Sequence, residues 1–116
     1  MNTGAGDGAT VLAMIAFDAD GTAIGHRMVR STSPQLEVMD LGATRGDGIF
    51  ETASIGAGHL QAFEPHLRRF AHSAALLELP EPDLGIWRDA IRAVAAELGP
   101  VDEGFVKWVL TRGVEG

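Results

Sequence analysis

The 116-residue sequence contains no cysteine, no tyrosine and a single lysine, Lys107. Without cysteine there is no disulfide, no thiolate zinc site and no cysteine nucleophile, a composition that suits a cytosolic protein. Positive charge is scarce as well. Nine Lys and Arg stand against 16 Asp and Glu, a formal charge of −7, and a chain of this sign lacks the basic stripe that nucleic-acid binders present to phosphates. Long apolar runs are missing too. The longest near the N-terminus, residues 9–17, is interrupted by Thr10 and preceded by Asp7 rather than a basic residue. It is far short of the roughly 20 residues of a membrane span and does not read as a secretory signal.

Familiar chemical motifs are also absent. Neither GxGxxG nor GxxxxGK[ST] occurs among the 15 glycines, so dinucleotide and P-loop nucleotide binding have no support. Asp18-x-Asp20-Gly21 opens like a calcium loop, but Ala23 stands where that loop needs its sixth-position glycine. Ser54 lacks the flanking glycines of a nucleophile elbow. His66 and His72 are six residues apart and fall on different helix faces, and His26 and His59 sit in expected strands without carboxylates at ligand spacing. All four read as surface histidines, and no metal site is expected.

What is present is a core. Hydrophobic residues make up 46% of the chain and are spread along it, which argues for a folded domain rather than disorder. Residues 1–8 are glycine-rich and read as a loose leader, leaving 9–116 as the domain. Residues 11–17 read as a buried strand, and Asp20-Gly21 signals a tight hairpin turn into a returning strand over 22–30. Residues 36–39 suggest a short strand, and 42–48 a flexible glycine-rich loop feeding a strand over 49–55. A short strand over 59–63 precedes a helix with Pro65 at its start and Leu67, Phe70, Ala71, Ala74 and Leu77 in one stripe. Pro80 and Pro82 end it. Asp83 suits the N-cap of a second helix carrying Ile86, Trp87, Ala90, Ile91, Val94 and Leu98, stopped by Gly99-Pro100. The last strand spans 104–112. Strands, then two helices, then a strand describe an α+β domain, an antiparallel sheet with both helices on one face.

Four segments together resemble the N-terminal portion of the fold-type IV pyridoxal-phosphate (PLP) enzymes, the family of branched-chain and D-amino-acid aminotransferases and 4-amino-4-deoxychorismate lyases. They are DLGATRGDGIFET (40–52), GHL (58–60), HLRRF with Ser73-Ala74 (66–70), and VKWVLTRG (106–113). None is specific alone; in this order and spacing they match the family from about residue 10 onward. The resemblance is nearest to the lyase branch, because a lysine at the position of Lys107 is more typical of it.

The resemblance implies that Arg69 binds the cofactor phosphate. Helical spacing turns Arg69 away from the Leu67–Phe70 stripe, and a guanidinium fork suits a phosphate; a solvated helix arginine is the plainer alternative. It further implies that Phe50, Phe105, Lys107 and Arg45 line the substrate side. By the period of two, Phe105, Lys107 and Val109 share a strand face. For Phe50 an ordinary core position, for Lys107 an edge-strand charge that deters aggregation, and for Arg45 a solvent-facing loop stand as alternatives. In the family the Schiff-base lysine lies downstream in a second, larger domain, so no catalytic residue is assigned among these 116. The expectations are a cytoplasmic homodimer acting on an amino-acid-like substrate. Its activity would be 4-amino-4-deoxychorismate lysis for folate biosynthesis, or branched-chain or D-amino-acid transamination. A separate reading is a stand-alone, non-catalytic binding domain.

Overall fold

A computed structural model describes residues 10–114; the proposed leader, residues 1–8, lies outside them. The chain runs β1 (Leu12–Phe17), β2 (Ala23–Val29), α1 (Leu41–Arg45), β3 (Gly48–Gly56), β4 (His59–Leu60), α2 (Phe63–Leu76), α3 (Leu84–Leu98) and β5 (Glu103–Thr111). The α+β class and the antiparallel pairing are as expected. The five strands, however, form two sheets, a β1–β2 hairpin and a β4–β3–β5 sheet. The hairpin turns where Asp-Gly placed it. Gly21 has φ 82°, and the Asp18 carboxylate accepts through Oδ1 from the backbone N–H of Asp20 and Thr22 at 2.9 and 3.0 Å, which pins the turn. β1 is half-buried along most of its length rather than buried, because it packs on α3 and not inside the larger sheet.

Two local expectations fail. Residues 36–39 form turns, with Leu36, Val38 and Met39 exposed. Leu36 and Val38 alternate with Glu37, but the run is only four residues long and no strand pairs with it among the described residues, so nothing commits one face to a core. Residues 41–45 form a short helix instead of a flexible loop. Asp40 caps it, accepting from Gly42 N–H at 2.8 Å, and Gly46 closes it in the left-handed conformation at φ 65°. Five residues are too few for a helical period to show.

Helix α2 starts two residues before Pro65, whose missing N–H falls among the first-turn donors that have no partner within the helix. Leu67, Phe70 and Ala74 are fully buried, while Leu77, past the helix end, is exposed and Leu79 fills the core position instead. Asp83 caps α3 as its position suggested, accepting from Ile86 N–H at 3.2 Å. The core collects Ala53, Ile55, Leu67, Phe70, Trp87, Ile91, Val106 and Trp108 between one face of β3–β5 and the two helices. Trp108 Nε1 is buried there without a hydrogen-bond partner among the described residues. Among those residues no helix is long and apolar enough to cross a membrane.

Candidate functional site

Strand β3 sorts its side chains by parity. Glu51, Ala53 and Ile55 turn to the helices and are buried, while Phe50, Thr52 and Ser54 turn outward. Strand β5 does the same, with Val106 and Trp108 inside and Phe105, Lys107 and Val109 outside. Register places Phe50 opposite Val109, Thr52 opposite Lys107, and Ser54 opposite Phe105. The outward face therefore sets Phe50, Phe105 and Val109 around one ammonium, with the hydroxyl side chains of Thr52 and Ser54 among them. Phe50 is 61% and Phe105 67% exposed, which removes the ordinary-core reading of Phe50. Lys107 Nζ leans diagonally across the strands to 4.7 Å from the centre of the Phe50 ring, a cation–π contact worth about 0.5–1 kcal/mol when exposed. Arg45 ends α1, three residues before β3 begins.

On the opposite face a second cluster is built around Glu51. Arg69 grips its carboxylate with two donors, Nε to Oε2 and Nη2 to Oε1, both at 2.9 Å. His66, one turn earlier on α2, meets Oε1 through Nδ1 at 2.9 Å and sets its ring edge-on to Trp108. The Glu51 side chain is 7% exposed, His66 24% and Arg69 64%. The Arg69 guanidinium holds the Glu51 carboxyl below the usual carboxylate range, burial opposes that, and His66 adds to it.

Sequence reasoning missed Glu51 and misread His66, which is a partly buried member of this cluster and not a surface histidine. A signal was available for Glu51. Alternation in β3 puts it on the face of Ala53 and Ile55, and a carboxylate on a core face needs a cationic partner. For His66 the cue is the three-residue spacing to Arg69, which aligns the two on one side of α2.

A depressed folded-state pKa makes the Glu51 contribution to stability complete above its ordinary value of 4.5 and lost as pH falls through the depressed value. Unfolding midpoints measured against pH should therefore drop below about pH 4.5. In Glu51→Gln the drop should be shallower; an identical acid limb would mean other carboxylates set it.

The Arg69 cluster and the Phe50–Lys107 face lie on opposite sides of β3. Phe50, Lys107 and Phe105 share the outer face, spread along the β3–β5 ladder, Arg45 ends the short helix before β3, and Arg69 stands on the other face. β3 pairs with β5 along one edge and with β4 only at Ile55 and Gly56 on the other. Its remaining edge has no strand neighbour among the described residues.

Comparison with known proteins fits this geometry. Over 85 residues the chain is 42% identical to the bifunctional aminodeoxychorismate lyase/D-amino acid transaminase of Mycobacterium tuberculosis, covering 72% of this chain and 29% of that protein. The fold IV-transaminase CpuTA1 from Curtobacterium pusillum is 50% identical and superposes with a TM-score of 0.75, over 78% of this chain and 33% of that one. A hypothetical aminotransferase from Mycobacterium tuberculosis in its PLP-bound form is 37% identical with a TM-score of 0.71, over 93% of this chain and 35% of that one. The chain belongs to the fold-type IV aminotransferase and lyase family.

The match covers the N-terminal portion of the fold-type IV proteins, and the chain spans about a third of their length. No family model matches the chain. Within the fold-type IV set, relatives carry lyase and transaminase names alike, one of them both at once.

Proposed function

We propose that this chain forms the phosphate-gripping and substrate-lining portion of a PLP-dependent 4-amino-4-deoxychorismate lyase, which releases pyruvate and leaves 4-aminobenzoate for folate synthesis. The observation that carries the lyase reading is the Lys107 ammonium set among Phe50, Phe105 and Val109 on the exposed sheet face. An apolar wall with one cation suits a substrate that joins a carbon ring to carboxylates. A second reading, D-amino-acid transamination, is favoured by the double name of the Mycobacterium tuberculosis relative.

The residues present fit the cofactor. A guanidinium carries five N–H donors, and Glu51 occupies one on Nε and one on Nη2, which leaves the Nη1 donors of a side chain 64% exposed to meet a phosphate. When bound, PLP supplies an electron sink for bond cleavage at the substrate's α-carbon. The chain's own residues bind and orient around it. Arg69 holds the phosphate from the helix side. Lys107 draws a substrate carboxylate to the outer face, Phe50 and Phe105 flank the ring and exclude water, and Arg45 adds charge at the approach to β3. Lys107 serves the substrate in this reading, and no residue of these 116 is assigned the bond to the cofactor. The reading includes a homodimer in the cytoplasm.

The test is a two-way assay of the full-length protein, with 4-aminobenzoate and pyruvate measured in one arm and amino transfer to 2-oxoglutarate in the other. Formation of 4-aminobenzoate is expected, with Lys107→Ala raising KM about tenfold, the loss of one charge-assisted contact. Amino transfer without 4-aminobenzoate would replace the lyase reading with the transaminase one.

A further inference from the structure

Two ion pairs in this fold share one geometry and differ in setting. Arg88 grips Glu64 as Arg69 grips Glu51, through Nε and Nη2 at 2.9 Å each. Glu64 is 47% exposed, and its pair is a surface strut between the helices. Glu51 is 7% exposed, fixed in the middle of β3 by the ladder to β5, and held from a second side by His66. A buried carboxylate with both oxygens engaged cannot rotate, so it imposes its plane on the guanidinium it binds. The Arg69 side chain is 64% exposed and would otherwise range over many rotamers.

We propose that Glu51 is a positioning residue which, braced by His66, locks the Arg69 guanidinium with its Nη1 edge presented to a phosphate monoester. The proposal rests on the reading of Arg69 given above. It specifies why that arginine binds a phosphate tightly although a carboxylate neutralises it: the ordering is done before the ligand arrives, and preorganised donors lose less freedom on binding. Charge and order act with opposite signs here. Removing the Glu51 charge strengthens the attraction of Arg69 for an anion, whereas removing its two-point grip lets Arg69 wander. Glu51→Gln keeps the size and removes both the charge and one acceptor, so the direction of its effect separates the two.

The experiment measures dissociation constants of pyridoxal 5′-phosphate and of pyridoxal for the full-length apoprotein by equilibrium dialysis, in the parent and in the Glu51→Gln, Arg69→Ala, Arg69→Lys and Arg88→Ala variants. Arg69→Ala is expected to weaken the phosphate form about tenfold and leave pyridoxal unchanged. Glu51→Gln is expected to weaken it about fivefold, again without touching pyridoxal, and to add nothing in the Arg69→Ala background. Arg88→Ala should change neither ligand. If Glu51→Gln does not fold, Arg69→Lys answers the question, because it keeps the charge but loses the fork, and the same selective weakening of about fivefold is expected. Selective loss in Arg69→Ala with unchanged or tighter phosphate-form binding in Glu51→Gln, or in Arg69→Lys, overturns the positioning role alone. Equal binding of the phosphate form by Arg69→Ala and the parent overturns the phosphate reading and the positioning role together.

Discussion

Phe70→Ala should destabilise the fold by about 3–5 kcal/mol, the usual cost of emptying a fully buried phenylalanine site. Phe70 has no exposed surface. It sits on α2 with Trp87 of α3 at 4.8 Å between ring centres and Trp108 of β5 at 6.3 Å, both edge-on. Truncation removes both aromatic pairs and leaves a hole where α2, α3 and the sheet converge. The rigid backbones on three sides leave little room for collapse, which puts the cost in the upper part of the range. Against a typical total stability of about 5–15 kcal/mol, that is a large fraction. Urea unfolding followed by tryptophan fluorescence is a direct measurement, since both tryptophans of the chain flank the site. A loss below about 1 kcal/mol would show that the core does not close on Phe70. Arg69 is the adjacent residue on the same helix turn, so the proposed phosphate contact should weaken along with the packing.

Gly48→Ala should cost about 3 kcal/mol, at the upper end of overpacking penalties. A Cβ at Gly48 would stand 2.6 Å from the Leu110 carbonyl oxygen and 3.1 Å from Thr111 Cα. Both are backbone atoms of β5, directly across the ladder, and neither can move without opening the strand pair. Gly104→Ala provides the contrast. Its Cβ would meet the Val101 Cγ2 methyl at 3.3 Å, a side chain that can shift, and the change should stay within about 1 kcal/mol. Denaturant midpoints of the two variants side by side make the comparison; equal losses would mean that β5 yields at Leu110. The close approach that requires this glycine comes from the chain's own last strand.

The parts of the fold that were legible in the sequence are those whose signal is local and long enough. Asp20-Gly21 marked the hairpin, and Asp83 with Gly99-Pro100 bracketed α3, because a turn and a helix cap depend on a few neighbouring side chains. Helix α1 escaped because its evidence is a single cap and one left-handed glycine. The separation of β1–β2 from the larger sheet escaped because strand partnership is decided by long-range packing, here against α3. Site residues divide in the same way. The outward parity of Phe105, Lys107 and Val109 follows from period two alone. The Glu51–Arg69 pair joins residues 18 apart on different elements, and only the docking of α2 on β3 brings them within bonding distance.

The solitary Lys107 has a practical corollary. Its ammonium is the chain's only side-chain amine and stands on the outer face of the larger sheet. Acylating reagents and amine-directed crosslinkers would thus report on one known spot of this chain besides its α-amino group. Whatever covers that face, whether a small molecule or another stretch of polypeptide, would announce itself as protection of a single residue, and the poverty of lysine gives the surface an address.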